Sequence, residues 1–390
     1  MERTRLHQVA AGQRLADIRI ADLLRGSGVE TVITRVTGID PDSRTVHLAE
    51  QRHGRRAHRR LHYDTLVYAL GSSWDTRGVP GVQEYAFGVA DADQAARLRD
   101  HLAARLGGAE TAPPRVESLP AAATAEDTAG AGARAAGAIA PARPPSPEAA
   151  RSGAELHRIV VAGGGLTGLE AASELAESYP RARVELVSAE AVGDWLPPRS
   201  LRYLRRSLQR LGVAVREHTE VSAVEDGRLL VEGSDPIGFD TLVWTAGFRV
   251  HSLAADAGLA VDGDGRLLVD ESLRSVSHPE VVGAGDAAAA ATRGGVSRMT
   301  CQTGLPMGMR AGDVVADVAR GRTPRRVWLG YAAVNISLGR RDGVTQFLRF
   351  DDTPVRAALT GRPSAALKEA ITRGVVTAVR HPGPYLPRIR

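Results

Sequence analysis

The segment RIVVAGGGLTGLEAASELAESYPRARVELVSAE, residues 158–190, constrains this chain more than any other. An apolar strand, Ile159–Ala162, runs into Gly163-x-Gly165-x-x-Gly168 and then into an apolar-faced helix. Each glycine has a separate task. Gly163 allows the tight turn, Gly165 allows backbone to approach a pyrophosphate, and Gly168 allows helix and strand to pack closely. The helix start, Leu166-Thr167, then offers free N–H groups and a positive dipole end to phosphates. A second strand, Val184–Val187, ends at Ser188, where nucleotide-binding units commonly carry an acid for the adenosine ribose. The nearest acid here is Glu190, which leaves NADH and NADPH both open.

Around this unit, strand and helix patterns alternate: Thr167–Ser178, then a helix near Leu201–Leu211, then Val213–Glu217. That alternation implies an α/β fold with a doubly wound parallel sheet. Tyr63–Ser72 (YDTLVYALGS) and Phe239–Phe248 (FDTLVWTAGF) repeat one strand-and-glycine pattern, with Gly71 and Gly247 in the closing turns. VETVITRVTGIDPDSRTVHL reads as a β-hairpin turning at Asp40-Pro41-Asp42-Ser43. HPEVVGAGDAAAAA places a strand, Glu280–Val282, before Gly285-Asp286 and an alanine run read as helical. Asp286 would then sit beyond a strand's carboxyl end, where such sheets bind ligands, with a carboxylate able to accept from a polyol.

Composition narrows the function. Residues 111–150 hold 22 alanines or prolines and no aromatic residue, a composition that cannot bury enough apolar surface to order itself. Forty-nine of the 50 basic residues are arginine, but none of their stretches is interleaved with stacking rings, which speaks against nucleic acid. The stretch from Arg320 onward carries 14 basic and 4 acidic residues, a face suited either to solvent or to an acidic membrane surface. The single cysteine, Cys301, excludes an internal disulfide framework and a CxxC pair. No metal site is expected from the histidines. With no apolar run of membrane-spanning length and no secretory leader in MERTRLHQ, the expected location is cytoplasmic, with the basic C-terminal region as the segment to touch the inner membrane face.

Taken together, GGGLTGLE, two DTLVxxxG strands, GAGDA, TCQTGLPMG and GYAAVNISLGRRDGVTQF resemble the two-dinucleotide-domain flavoprotein reductases of the pyridine nucleotide-disulphide oxidoreductase superfamily. Within them the resemblance is closest to type II NADH dehydrogenases and ferroptosis-suppressor-type quinone reductases. It implies two Rossmann-like domains: an FAD-type domain over 1–105 and 265–320, and an NAD(P)-binding domain over 157–264. The Ala/Pro-rich insertion, 106–156, and a C-terminal α+β basic region, 321–390, complete the division.

The same resemblance implies FAD and NAD(P)H as cofactors, with a hydride passing to flavin and electrons leaving to a quinone. By position, Val36 would lend backbone to the adenine, Leu70 and Gly71 would line the diphosphate and ribose, and Gly285-Asp286 would hold the ribityl chain. Thr300, Cys301 and Gln302 would begin a helix aimed at the flavin's pyrimidine end. Gly163, Gly165 and Gly168 would hold the NAD(P)H pyrophosphate, with Glu170 near the nicotinamide or simply a first-turn glutamate favoured by the dipole. Glu170 and Gln302 are the expected catalytic residues. Family members open with a strand–GxGxxG–helix–strand unit that MERTRLHQ does not contain; about 40 residues of FAD-binding structure are expected to be wanting here. Two other functions stay open: a reductase for a ferredoxin-type protein, and a flavin-less nucleotide-binding protein without turnover. The sequence does not fix the oligomeric state.

Overall fold

The computed structural model of the chain describes residues 5–13, 20–52, 55–107 and 156–380. The Ala/Pro-rich stretch and the last ten residues lie outside them.

Five parallel strands form the central sheet, in the spatial order Ala86–Gly88, Thr241–Trp244, Arg158–Ala162, Arg183–Val187, Ala214–Arg216. Residues alternate between its faces, as strand geometry demands. Ile159 and Val161 join Leu186 and Val243 under the helices Ala92–Leu106, Leu166–Ser178 and Pro198–Arg210, which contribute Leu98, Leu102, Leu169, Leu175, Leu204 and Leu208. Each of those leucines is almost wholly buried, so each contributes roughly 2 kcal/mol of transfer free energy. Val160, Ala162, Leu242 and Trp244 face the other way, onto Val224, Leu229, Val231 and Ile237. These belong to an antiparallel sheet of Val221–Glu225, Arg228–Val231 and Ile237–Gly238. The second face is therefore covered by a β-meander, where the doubly wound reading expected helices. The alternating apolar residues of 221–231 suit a half-buried hairpin and leave no room for a helical stripe.

The strand Ala86–Gly88 and the helix Ala92–Leu106 belong with this sheet, although the sequence reading ended the first domain at residue 105. A three-residue strand gives no sign of its partner: its pairing with Thr241–Trp244 spans the whole insertion.

The remaining core is smaller. Val36–Asp40 and Thr45–Arg52 form the expected hairpin, its turn closed by Ser43 N–H on Asp40 Oδ1 at 3.0 Å. A third strand, Arg55–His62, extends it; its run of arginines and histidines hides the strand period from sequence reading. Among the described residues Leu66–Tyr68 pairs in parallel with Val281–Gly283 alone; Val67 within it and Leu70 just after it are each 41% exposed. None of the described residues before Val36 forms a strand.

The alanine run after Asp286 is not helical. Gly285–Ala287 makes one 3-10 turn, and Ala288–Ala289 then pairs in parallel with Leu267–Leu268. Helix propensity is a weak prior; here the small, buried alanines fit between Leu273 and Met307, and packing overrides it. Beyond the 19-residue helix Cys301–Ala319, a meander of Ala333–Ser337, Gly343–Leu348 and Pro354–Thr360 leads into the C-terminal helix Arg362–Arg380. Val334, Ile336, Leu338 and Val344 join the core built on Leu166–Ser178, so the C-terminal meander sits against the glycine-loop helix.

Candidate functional site

At the carboxyl end of Arg158–Ala162 the chain turns through Gly163, whose φ of +118° is strained for any L side chain. Its N–H donates to Val187 O at 2.8 Å, tying the turn to the neighbouring strand. A Cβ on Gly168 would lie 1.8 Å from Gly163 O, so only glycine lets the helix meet the strand this closely. Gly165 differs: it is extended, caps the helix without a side-chain hydrogen bond, and has nothing within 4 Å of a built Cβ. Open space in front of uncapped N–H groups is what a pyrophosphate requires. Leu166 and Thr167, partly exposed, begin that helix.

Glu170 is not an ordinary first-turn glutamate. It is 8% exposed; its Oε1 accepts from Ser337 N–H at 2.9 Å and from Lys368 Nζ, and its Oε2 lies 3.6 Å from His7 Nδ1. Burial pushes this carboxyl up, but Lys368, His7 and the Ser337 N–H outweigh it, and it stays below the usual glutamate range. Burial holds His7 far the other way, at about 4, so its imidazole is neutral at pH 7. One turn on, Glu174 accepts from Gln13 Nε2 at 2.8 Å, and burial pushes it up to about 7. His7, Gln13, Ser337 and Lys368 were not singled out from sequence. Lys368 carried the one available signal, as the sole lysine among 50 basic residues.

The second half of the site lies at the carboxyl end of Val281–Gly283. Asp286 Oδ2 accepts from Ser72 Oγ at 2.7 Å, and Gly71 and Gly285 adopt φ of +70°. Gly304, in the first turn of Cys301–Ala319, would bring a Cβ within 3.7 Å of Gly285 Cα, so that helix start abuts the Asp286 turn. Thr300 caps it without a side-chain bond. Cys301 is exposed on one side; desolvation on the others raises its thiol, Lys368 lowers it, and Glu170 and Asp286 raise it further. The Cys301 helix start and Glu170 are joined through one strand, Ala333–Ser337: Gln302 Nε2 donates to Ala333 O, and Ser337 N–H donates to Glu170 Oε1. Gln302, expected as catalytic, has its amide nitrogen engaged on that Ala333 carbonyl. Val36 lies in the first hairpin strand, and Gly247, at φ +98°, packs on Asp75 beside the parallel strands. Among the described residues no cluster of His, Cys, Asp or Glu could hold a metal ion, and no helix is long and apolar enough to cross a membrane.

The sequence profile of the pyridine nucleotide-disulphide oxidoreductases matches residues 6–308. The chain belongs to that family. Among curated pyridine nucleotide-disulphide oxidoreductase relatives, an NADH dehydrogenase-like protein of Mycobacterium tuberculosis is 31% identical over 313 residues. That match covers 77% of this chain but 66% of the relative, just under two thirds of its length. A type II NADH:quinone oxidoreductase of Staphylococcus haemolyticus is 24% identical over 395 residues, covering 96% of this chain and 85% of the relative. Among solved structures, NDH2 from Plasmodium falciparum in complex with NADH superposes with a TM-score of 0.70 at 13% identity, over 96% of this chain and 87% of that one. The fold is thus that of the family's paired dinucleotide-binding domains.

Proposed function

We propose that this chain is an NAD(P)H-dependent flavoprotein oxidoreductase that delivers electrons to a quinone. The observation that carries the reading is the glycine loop with its open, uncapped helix start, joined through Ala333–Ser337 to the Cys301 helix that abuts the Asp286 turn. Relatives named as NADH:quinone oxidoreductases, demethylphylloquinone reductase and ferroptosis suppressor protein support the quinone as acceptor.

The residues present fit both cofactors in part. Gly163, Gly165 and Gly168 leave the cradle a pyrophosphate fills, at the start of an uncapped helix. Asp286, steadied by Ser72, would present its carboxylate to a polyol, and the N–H groups at Thr300–Gln302 open a helix that abuts the Asp286 turn. Leu70 and Gly71 would serve the FAD diphosphate and ribose, and Val36 the adenine. When bound, FAD supplies the two-electron relay between nicotinamide and acceptor; the protein supplies position and charge. The helix start would stabilise negative charge gathered beside it, and Glu170 is held ionised by Lys368. One cysteine cannot form an intramolecular dithiol, which leaves hydride and electron transfer without a disulfide. The basic C-terminal region is the face proposed to meet the membrane.

The test is reconstitution. Protein supplied with FAD should turn yellow, absorbing near ~450 nm as bound flavins do, and should oxidise NAD(P)H with a short-chain quinone faster than with a ferredoxin. Asp286→Ala should lower FAD occupancy, at a cost of about 1–3 kcal/mol. Unchanged occupancy would remove Asp286 from the site, and a colourless protein that still binds dinucleotide would support the flavin-less reading instead.

A further inference from the structure

The geometry points to an acid-operated latch: His101, Thr241 and His157 clamp the helix Ala92–Leu106 onto the parallel sheet near neutral pH and release it when both imidazoles carry protons. It sits at the amino ends of the strands, away from the glycine loop, and is independent of the function proposed above.

Three elements meet at one hydroxyl. Thr241 opens the strand Thr241–Trp244 and is almost wholly buried. His101, in the later turns of the helix, and His157, just before Arg158–Ala162, each place Nε2 2.9 Å from Thr241 Oγ1. Phe87, in the edge strand Ala86–Gly88, lies against the His101 ring at 4.6 Å between centroids. In the sequence the two histidines flank the Ala/Pro-rich stretch, so one side-chain bridge joins the chain entering that stretch to the chain leaving it.

A hydroxyl has one proton to give. Thr241 can donate to one imidazole and must accept from the other. With both rings neutral the requirement is met, one Nε2 bare and the other carrying hydrogen. His157 Nδ1 lies 4.0 Å from Asp240 Oδ2, which also accepts Arg158 N–H at 2.7 Å. A first added proton can therefore settle on His157, facing that carboxylate, while Thr241 turns its hydrogen to His101. A second leaves both Nε2–H groups aimed at one oxygen and neither imidazole able to accept the Thr241 hydrogen. Two cations then stand together beside Arg105. Burial is the main cause holding both rings below the ordinary imidazole value of 6.5; Arg105 adds to it, and Asp240 opposes it at His157. The stabilisation from neutral rings is thus complete above 6.5 and is lost as pH falls below it.

Hydrogen exchange of the full chain from about pH 7.5 to about pH 5.5, corrected for the intrinsic rate, reads the latch directly. Exchange in Ala92–Leu106 should accelerate by about tenfold or more over that range, as linked uptake of at least one proton requires. The helix Pro198–Arg210, packed on the same core, is the reference and should not follow. His101→Gln combined with His157→Gln keeps polar side chains that do not titrate, and should exchange at one rate throughout. Thr241→Ser keeps the hydroxyl and should keep the wild-type response. Wild-type exchange in Ala92–Leu106 that is flat with pH overturns the latch, and needs no variant to fold. So does a glutamine double variant that still accelerates in acid, or a Thr241→Ser protein that has lost the response.

Discussion

Gly165 and Gly168 stand three residues apart in one motif, yet the structure assigns them different work, and alanine at each separates folding from binding. At Gly168 the new methyl would sit 1.8 Å from Gly163 O and 2.7 Å from Thr245 Oγ1. Helix and turn would have to part by roughly 1.5 Å to reach ordinary contact. Both belong to the buried strand–helix unit, so the overpacking cost is about 3 kcal/mol. Alanine's better helix propensity returns about 1 kcal/mol, for a net loss of about 2 kcal/mol. At Gly165 the backbone, φ −72° and ψ −177°, already suits alanine, and the methyl meets nothing. Stability should stay within about 0.5 kcal/mol of wild type or rise slightly through the unfolded chain. Dinucleotide affinity should nevertheless fall about tenfold or more, since the methyl enters the space reserved for the pyrophosphate. Urea unfolding and calorimetric titration of both variants read the two quantities separately. A Gly165→Ala protein that binds dinucleotide normally would refute the pyrophosphate assignment, and a fully stable Gly168→Ala protein would refute the packing argument.

Glu174, raised by burial to about 7 from 4.5, keeps its proton in the fold at pH values where the unfolded chain has lost it. Stability is therefore lost as pH rises from 4.5 to 7. Glu174→Gln should gain on wild type by roughly 2 kcal/mol between pH 5 and pH 8 in chemical unfolding; a constant difference would contradict the raised carboxyl. Lys368→Met leaves the buried Glu170 without its cation and should cost about 3 kcal/mol, with faster hydrogen exchange in the C-terminal helix. Adding Glu170→Gln to it should recover part of the loss, and a single variant as stable as wild type would sink the pairing. His101 Nε2 and His157 Nε2 both lie 2.9 Å from the buried Thr241 hydroxyl. Thr241→Val should therefore cost about 2 kcal/mol by stranding two imidazole nitrogens, as thermal or urea unfolding would show.

How much of this was legible in the sequence depends on the range of the interactions. The glycine loop was readable because its causes are local: three missing side chains, a strand before and a helix after, all within 21 residues of one another. Asp286 and Cys301 were readable as motif members. The alanine run failed because propensity argued for helix while burial against Leu273 and Met307 decided for a strand. Gln302 shows a different limit. The sequence showed a polar side chain at a helix start, and the nearby Ala333 carbonyl then claimed its amide.

The sequence by itself determined one nucleotide-binding unit, the absence of a dithiol, and the order of motifs that marks the family. Tertiary structure alone decided that a histidine near the start, a glutamate in the middle and the sole lysine near the end would share one carboxylate. It also decided that Glu174, raised to about 7, keeps much of its proton at pH 7 while Glu170, one turn away, stays ionised. The two glutamates are chemically identical in the sequence. What separates them is which cations the fold places beside each one, because in a buried setting the charged form survives only where a partner offsets its lost hydration.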